Sequence, residues 1–439
     1  MRKVIVVNKK KIKIVSLGCK VNQYESEAVL EQFKEEGYQL AKDDERADVV
    51  VVNTCSVTSV ADSKSRQRIN REIKENPGAI VCAMGCYSQV GYETLRKING
   101  LSIIVGTDKR NKIYDYVKEY EQSNKQIVDI ANSREFKNFE NQKLSYYTDN
   151  VRVYLKIQDG CNNFCSYCIV PYTRGRVRSR QKEDVLNEAN RFASNGYKEL
   201  VLTGIHTAAY GQDLGDYNFD DLLEDLIQIK GIERIRISSI EDSEITDRFV
   251  QLLKENKKIV NHIHIPLQSG CDTVLKRMNR KYDTKYFASS IQKLREVAPD
   301  IAITSDVIVG FPGETEEEFE TTYNFIKDLN LTQLHVFPYS VRQGTLAAKM
   351  PNQISPKIKK ERVKKLIDLS DNLYQNYIKN YLGETVDVLV ESEREGYLIG
   401  HTPNYLKVAF KGEKNLINQI VPVRINKMEG LLLEGEYIN

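Results

Sequence analysis

Residues 151–180 read VRVYLKIQDGCNNFCSYCIVPYTRGRVRSR. A strand-like run, VRVYLKIQ (151–158), leads straight into a loop where Cys161, Cys165 and Cys168 fall with the spacing C-x3-C-x2-C. Five further strand-like runs follow: ELVLTG (199–204), RIRISS (234–239), HIHIPL (262–267), IAITSDVIVG (301–310) and LHVFPY (334–339). Helical patterns alternate with them. KEDVLNEANRFASNG (182–196) is one; ETEEEFETTYNFIKDLN (314–330) is another, with Thr315 and Glu318 spaced as a capping box. Six β-α repeats point to a partial or complete parallel barrel, whose chemistry sits at the carboxyl ends of its strands. The three-cysteine loop follows the first strand at that end.

Upstream, KIKIVSLG (11–18), ADVVVVNT (47–54) and AIVCAMG (79–85) are β-branched-rich runs of buried-strand length, and LSIIVGT (101–107) is a fourth. The helical stretches YESEAVLEQFKEEG (24–37) and DSKSRQRINREIKENPG (62–78) separate the first three and end in Gly or Pro-Gly stops. The pattern is β-α-β-α-β, an open parallel α/β sheet. Each of the first three runs ends in a cysteine: Cys19, Cys55 and Cys86. Parallel strands put their carboxyl ends on one edge, where such sheets bind ligands, so these three should converge. Cys82 lies inside the third run and reads as core.

Residues 120–150 are polar without clear periodicity and read as a surface linker. PKIKKERVKKLIDL, from residue 356, is a basic helical stretch, with six Lys/Arg and one Glu over 357–365. TVDVLVE (385–391), YLIGHT (397–402), YLKVAF (405–410) and NQIVPVRI (418–425) are short strands of a small antiparallel β-barrel. The expected division is 1–122 for the α/β sheet, 123–146 for the linker, 147–376 for the barrel and 377–439 for the β-barrel.

The chain of 439 residues is too long for one core, and 41% apolar content is that of a folding globular protein. A net charge of +3 gives no strong global field for nucleic acid, so an RNA partner requires local basic clusters. No apolar run approaches the ~18–20 residues of a membrane span, and the basic opening stretch lacks a signal-peptide core. The expectation is a cytoplasmic protein without a membrane partner, in which clustered cysteines serve metals or catalysis rather than disulfides.

Three thiolates are an incomplete zinc set. The next histidine, His206, is a helix and a strand away, and paired C-x2-C arms are lacking. A cubane 4Fe-4S cluster takes one thiolate per iron. Three thiolates leave the fourth iron open for a ligand carrying an amino and a carboxylate group, and S-adenosylmethionine is such a molecule. An electron from the cluster would cleave its sulfonium bond and release a carbon radical.

With Tyr167 before the last cysteine, this loop resembles the radical S-adenosylmethionine superfamily. SLGCKVNQYESE (16–27), NTCSVT (53–58), GCYSQ (85–89), HIPLQSG (264–270), SDVIVGFPGETEEEF (305–319) and HVFPYS (335–340) resemble its methylthiotransferases. The Cys-Lys-Val-Asn run, TGIHT (203–207) and RISSIE (236–241) are most similar to the branch acting on threonylcarbamoyladenosine in tRNA, and the C-terminal barrel resembles a TRAM domain. The resemblance implies two 4Fe-4S clusters. One sits on Cys161, Cys165 and Cys168 and cleaves S-adenosylmethionine. The other sits on Cys19, Cys55 and Cys86 and carries the sulfur to be transferred. One S-adenosylmethionine methylates that sulfur, and a second supplies the radical that attacks the base. The partners implied are tRNA, an electron donor and a sulfur source; a monomer is expected.

Around the clusters, Tyr167, Gly204, Glu241, Gly310 and Gly313 are candidate cofactor-binding residues. Their ordinary alternatives are loop packing, a β-α turn, a surface carboxylate and a Gly-Phe-Pro-Gly turn. Arg174, Arg176, Arg178 and Arg180 alternate, so an extended run would aim them at one face for phosphates; the alternative is internal ion pairing. Residues 381–439 carry six Lys/Arg against nine Asp/Glu, so RNA contact by that barrel would rest on Lys407, Lys411 and Arg424. His206 and His264 read as structural, and Cys271 as a free thiol. Two other readings remain open: methylthiolation of a ribosomal-protein side chain, and a non-catalytic RNA-binding zinc protein.

Overall fold

The computed structural model describes residues 9–42, 45–148 and 150–438; residues 1–8 of the basic opening stretch lie outside them. The chain forms two compact units. One runs to Ser145 and takes in Asp159–Asn162 and Cys168–Arg180. The other comprises Tyr146–Gln158, Asn163–Tyr167 and the chain from Gln181 onward.

The first unit is the expected α/β sheet. Its elements are β1 (Lys11–Ser16), α1 (Lys20–Glu35), β2 (Gln39–Leu40), β3 (Val49–Thr54), α2 (Ser59–Glu75), β4 (Ile80–Gly85), α3 (Cys86–Leu95), β5 (Leu101–Val105), α4 (Ile113–Ser123) and β6 (Ile127–Asp129). The strands are parallel in the order β2-β1-β3-β4-β5-β6. All six residues of β3 are buried, because alternate side chains feed two cores. Val49 and Val51 pack with Phe33 and Val117 on one face, and Val50 and Val52 with Ile69 and Leu95 on the other. The segment read as a linker is partly built into this unit. Ile127–Asp129 pairs with β5, Leu144 is fully buried, and the Ser145 N–H donates to Glu31. Its polar composition concealed an edge strand.

The chain continues through β7 (Arg152–Lys156) and β8 (Gln158–Asp159) to α5 (Val170–Arg174) and β9 (Arg178–Ser179). The second unit contains α6 (Lys182–Ser194), β10 (Glu199–Thr203), α7 (Phe219–Ile227), β11 (Arg234–Ile237), α8 (Asp247–Glu255), β12 (His262–His264), α9 (Asp272–Arg277), α10 (Thr284–Val297), β13 (Ala302–Val309), α11 (Glu316–Leu329) and β14 (Gln333–Pro338). All six expected strands are present, parallel, in two groups of three: β11-β10-β7 and β12-β13-β14. A parallel bridge between Ile235 and Ile259 and the Ile240 N–H to His264 carbonyl bond link the groups, which makes a partial barrel. Thr315 and Glu318 form the expected capping box on α11.

The helix α12 (Pro356–Lys379) carries the chain past residue 376. A closed barrel follows: β15 (Thr385–Arg394), β16 (Tyr397–His401), β17 (Lys407–Lys411), β18 (Ile420–Glu429) and β19 (Leu432–Tyr437). It departs from the expected antiparallel barrel in one pair, β17 with β19, which is parallel. The strand β19 was not expected, because LLEGEY holds too little apolar alternation. This barrel docks on the amino ends of β7, β10 and β11. Arg152 pairs with Glu391 at 3.0 Å, Arg234 donates to the His401 and Asp387 carbonyls, and Arg236 to that of Pro403. The Tyr405 ring stacks between His262 and His401.

Candidate functional site

The Cys19, Cys55 and Cys86 positions converge as expected. They follow β1, β3 and β4, three neighbouring strands of the sheet. Two glycines make the turns. Gly18 has φ +104°, and a Cβ there would lie 2.9 Å from the Cys55 Cβ. Gly85 has φ +96°, and a Cβ there would overlap Asn53 Oδ1 and lie 2.8 Å from the Thr54 carbonyl. Only glycine fits such a turn cheaply, and it places Cys86 as the first residue of α3.

Asn22 ties the loops together. Its Nδ2 donates to the Leu17 carbonyl at 2.7 Å, to Asn53 Oδ1 at 3.2 Å and to the Thr54 carbonyl at 3.1 Å. Its Oδ1 accepts from Cys19 Sγ at 3.6 Å. Asn53 returns a bond to the Asn22 carbonyl, and Thr54 Oγ1 donates to that of Met84. Exposure is graded across the trio: Cys19 is exposed, Cys55 half-buried and Cys86 buried. Burial pushes the Cys86 thiol up to about 11, with Cys19 and Cys55 adding to the rise and Arg174 opposing it; Cys55 is raised chiefly by burial too. Cys82 is core as expected, fully buried inside β4.

Among the described residues, no three His, Cys, Asp or Glu side chains gather as around one metal ion. In a cubane each thiolate binds a different iron, so three thiols spaced at neighbouring strand ends, open on the Cys19 side, fit that group.

The C-x3-C-x2-C loop leaves β8. Gly160 has φ +75°, and a Cβ there would overlap the Arg176 carbonyl; the Cys161 N–H donates to the Gly175 carbonyl at 3.0 Å. In the second unit, Phe164 holds φ +47°, a costly conformation for a bulky residue that marks an imposed turn. Asn279 Nδ2 donates to the Phe164 carbonyl, and Ser166 bonds the Met278 and Arg277 carbonyls. Arg280 donates to Cys165 Sγ at 3.3 Å and forms an ion pair with Glu241. Cys161, Cys165 and Cys168 are all half-buried.

Among the candidate cofactor contacts, Glu241 lies with Arg280 beside Cys165. The Tyr167 ring packs edge-on against Phe311, with centroids 6.4 Å apart. At Gly204 a Cβ would crowd Gln158 Oε1 at 2.9 Å. Gly310 has φ +70° and is crowded by the Lys359 stem, while Gly313 has φ +75° with open space around it. His206 pairs with Glu244 at 2.7 Å and His264 bonds Thr304, so both are structural as expected. Cys271 is buried in the cluster with Val274 and Phe311.

The arginine run corrects the expectation of one phosphate-facing row. α5 breaks the extended backbone at Arg174, and Arg174, Arg178 and Arg180 are buried. Arg174 bonds Glu25, Asp159 and Asn22; Arg178 donates to the Arg174 carbonyl, and Arg180 to Asn141 and Tyr24. These guanidiniums have internal partners. Arg176 is exposed, as are Lys407, Lys411 and Arg424 on the C-terminal barrel. The sequence does not mark Asn22, Asn53, Glu25, Asp159 or Arg280 as site residues. The only signal available was an Asn closing the all-valine run at 49–52.

A parallel sheet with a cysteine at three adjacent strand ends, followed by a partial barrel opening with C-x3-C-x2-C, defines an iron–sulfur radical protein. Family models match residues 155–326 as Radical SAM superfamily, 11–106 as Uncharacterized protein family UPF0004 and 379–438 as TRAM domain. The chain is 48% identical over 429 residues to Threonylcarbamoyladenosine tRNA methylthiotransferase MtaB of Bacillus subtilis, covering 96% of this chain and 95% of that one. It is 37% identical to the protein of that name from Aquifex aeolicus, over 94% and 100%. It is 36% identical to the tRNA-2-methylthio-N(6)-dimethylallyladenosine synthase of Thermoanaerobacter sp. (strain X514), over 97% and 92%. In fold, it is similar to the radical S-adenosylmethionine methyltransferase TsrM from Kitasatospora setae, with a TM-score of 0.55 at 13% identity over 75% of this chain and 72% of that one. The chain belongs to the radical S-adenosylmethionine tRNA methylthiotransferase family.

Proposed function

We propose that this enzyme transfers a methylthio group to C2 of N6-threonylcarbamoyladenosine at position 37 of tRNA, with Cys161, Cys165 and Cys168 holding one 4Fe-4S cluster and Cys19, Cys55 and Cys86 a second. Bound there, the clusters and S-adenosylmethionine supply the one-electron chemistry and the sulfur that acid–base side chains cannot. The carrying observation is the convergence of the early trio at three neighbouring strand ends, in a chain whose near-full-length relatives bear tRNA methylthiotransferase names.

The chain's own groups prepare the site. Glu241 fixes the Arg280 guanidinium beside Cys165, and this pair would offer charge to the amino and carboxylate ends of the cofactor. Tyr167, Gly204, Gly310 and Gly313 would take the nucleoside end. Arg176, Lys407, Lys411 and Arg424, with the exposed Lys357, Lys360 and Lys364 of α12, offer cations for tRNA phosphates. We place the limit of the first domain at Ser145 rather than at residue 122, since β6 completes its sheet, and we assign α12 (Pro356–Lys379) as the element that joins the partial barrel to the C-terminal barrel across residue 376.

The test joins two measurements. Anaerobically prepared wild type is expected to carry about eight iron per chain, four for each cubane. Alanine at Cys161, Cys165 or Cys168 should abolish S-adenosylmethionine cleavage. Alanine at Cys19, Cys55 or Cys86 should leave part of that cleavage and stop appearance of the methylthio nucleoside in tRNA digests. A deletion strain whose tRNA retains that nucleoside unchanged rejects the tRNA substrate, and zinc with less than about four iron per chain rejects the chemistry.

A further inference from the structure

Arg174 is engaged at all three of its guanidinium nitrogens. It is 0% exposed, yet it lies on the helix that follows Cys168 rather than on any strand of the sheet. A guanidinium has five N–H groups, four on its two Nη atoms and one on Nε. The Nη groups are taken by acids and an amide: Nη1 meets Glu25 Oε1 at 2.8 Å and both Asp159 oxygens at 3.1 Å, and Nη2 meets Asn22 Oδ1 at 3.0 Å and Glu25 Oε2 at 3.2 Å. These partners lock the plane of the group. The remaining Nε–H then points at Cys86 Sγ, 3.2 Å away.

The network behind it is deliberate in charge. Arg110, also 0% exposed, shares Glu25 at 2.7 Å and adds Glu140 at 2.6 Å. Arg178 approaches Asp159 at 3.9 Å. Three buried guanidiniums thus face three carboxylates, so the acids that orient Arg174 do not leave net negative charge beside the thiols. Asn22 ties Arg174 to the Cys19 and Cys55 loops as well, since the same Oδ1 that takes Nη2 accepts from Cys19 Sγ, and its Nδ2 holds the Leu17 and Thr54 carbonyls.

We infer that Arg174 is a positioning residue for the early trio, one that fixes the Cys86 sulfur and, by donating a charge-assisted hydrogen bond to it, makes a cluster held there easier to reduce. This rests on the two-cluster reading above. A donor on a ligating sulfur stabilises the more negative, reduced form and raises the potential. Loss of a hydrogen bond to a charged group is worth about tenfold in the reduced-to-oxidised ratio, which is ~59 mV for one electron.

The experiment uses the full chain with Cys161, Cys165 and Cys168 changed to Ala, so that only the early trio can hold a cubane. R174K keeps the charge but loses the planar fork; R174Q/E25Q keeps the network's charge balance and removes the cationic Nε–H donor. After anaerobic reconstitution, iron and sulfide are counted, folding is checked by thermal unfolding, and the midpoint is read by electron paramagnetic resonance in a reductive titration. The expected result is a folded chain in which both variants have a more negative midpoint than the parent, about tenfold in the ratio. A folded variant that no longer retains the cubane also supports the positioning role. Midpoints equal to the parent's overturn it, and so does unfolding of both variants, which would assign Arg174 to the core alone. A parent that binds no cubane sinks the two-cluster reading instead, a result distinct from all of these.

Discussion

At the scale of single residues, the early trio depends on positions with no reactive group. Gly85 turns the chain from β4 into α3 at φ +96°, with Asn53 and the Thr54 carbonyl where a Cβ would go. The G85A chain should lose about 1–3 kcal/mol, read as a lower unfolding temperature of the cluster-free protein, and should retain less iron on the early trio. Asp242 gives a pH signature. It is fully buried; burial, helped by the Glu241 charge and by Asp283, raises it to about 6, with Ser290 and Arg280 opposing the rise. Because the folded value lies above the unfolded one, the native state binds more protons between them and stability falls as pH rises from about 4 to 6. The D242N chain should match wild type below about pH 4 and exceed it above pH 6, in unfolding curves taken across that range.

At the scale of elements, α12 shows why a run of basic residues is a poor guide to function. The run 357–365 holds six Lys/Arg in sequence, but the helix divides them. Arg362 is buried on Glu314 at 2.6 Å and Glu316 at 3.0 Å. Lys359 donates to the Tyr339 carbonyl, and Lys365 pairs with Glu320. Lys357, Lys360 and Lys364 are exposed. R362A should cost on the order of 3 kcal/mol, because it leaves a buried carboxylate unpaired. K360E/K364E should change stability by no more than about 0.5 kcal/mol. It should weaken tRNA binding and flatten its salt dependence by about two in slope, measured by filter binding over a salt series. The same division runs through TRGRVRSR, where a five-residue helix turned an apparent stripe into a mostly buried set.

At the scale of the whole molecule, the C-terminal barrel is part of the second unit's packing and not merely an appended module. Glu199, fully buried, is met by Arg236 at 2.7 Å, and Arg234 and Arg236 reach carbonyls of the 385–405 region. A chain ending at residue 378 would expose these guanidiniums and the Ile378 and Tyr374 side chains that pack into the barrel core. It should unfold at lower temperature and aggregate, as scored by light scattering, rather than lose tRNA affinity alone. What the amino-acid order settled by itself was local or periodic: the strand and helix alternation, the burial of Cys82, the two cysteine spacings, and the convergence of Cys19, Cys55 and Cys86, which parallel strand order demands. What only the tertiary structure decided was the fate of charge. Glu25 and Arg174 are 149 residues apart, and nothing in their neighbours distinguishes a solvated ion from a buried one. Strand periodicity is a property of consecutive residues, whereas the pairing of ions depends on which distant segments the fold brings within a few ångströms.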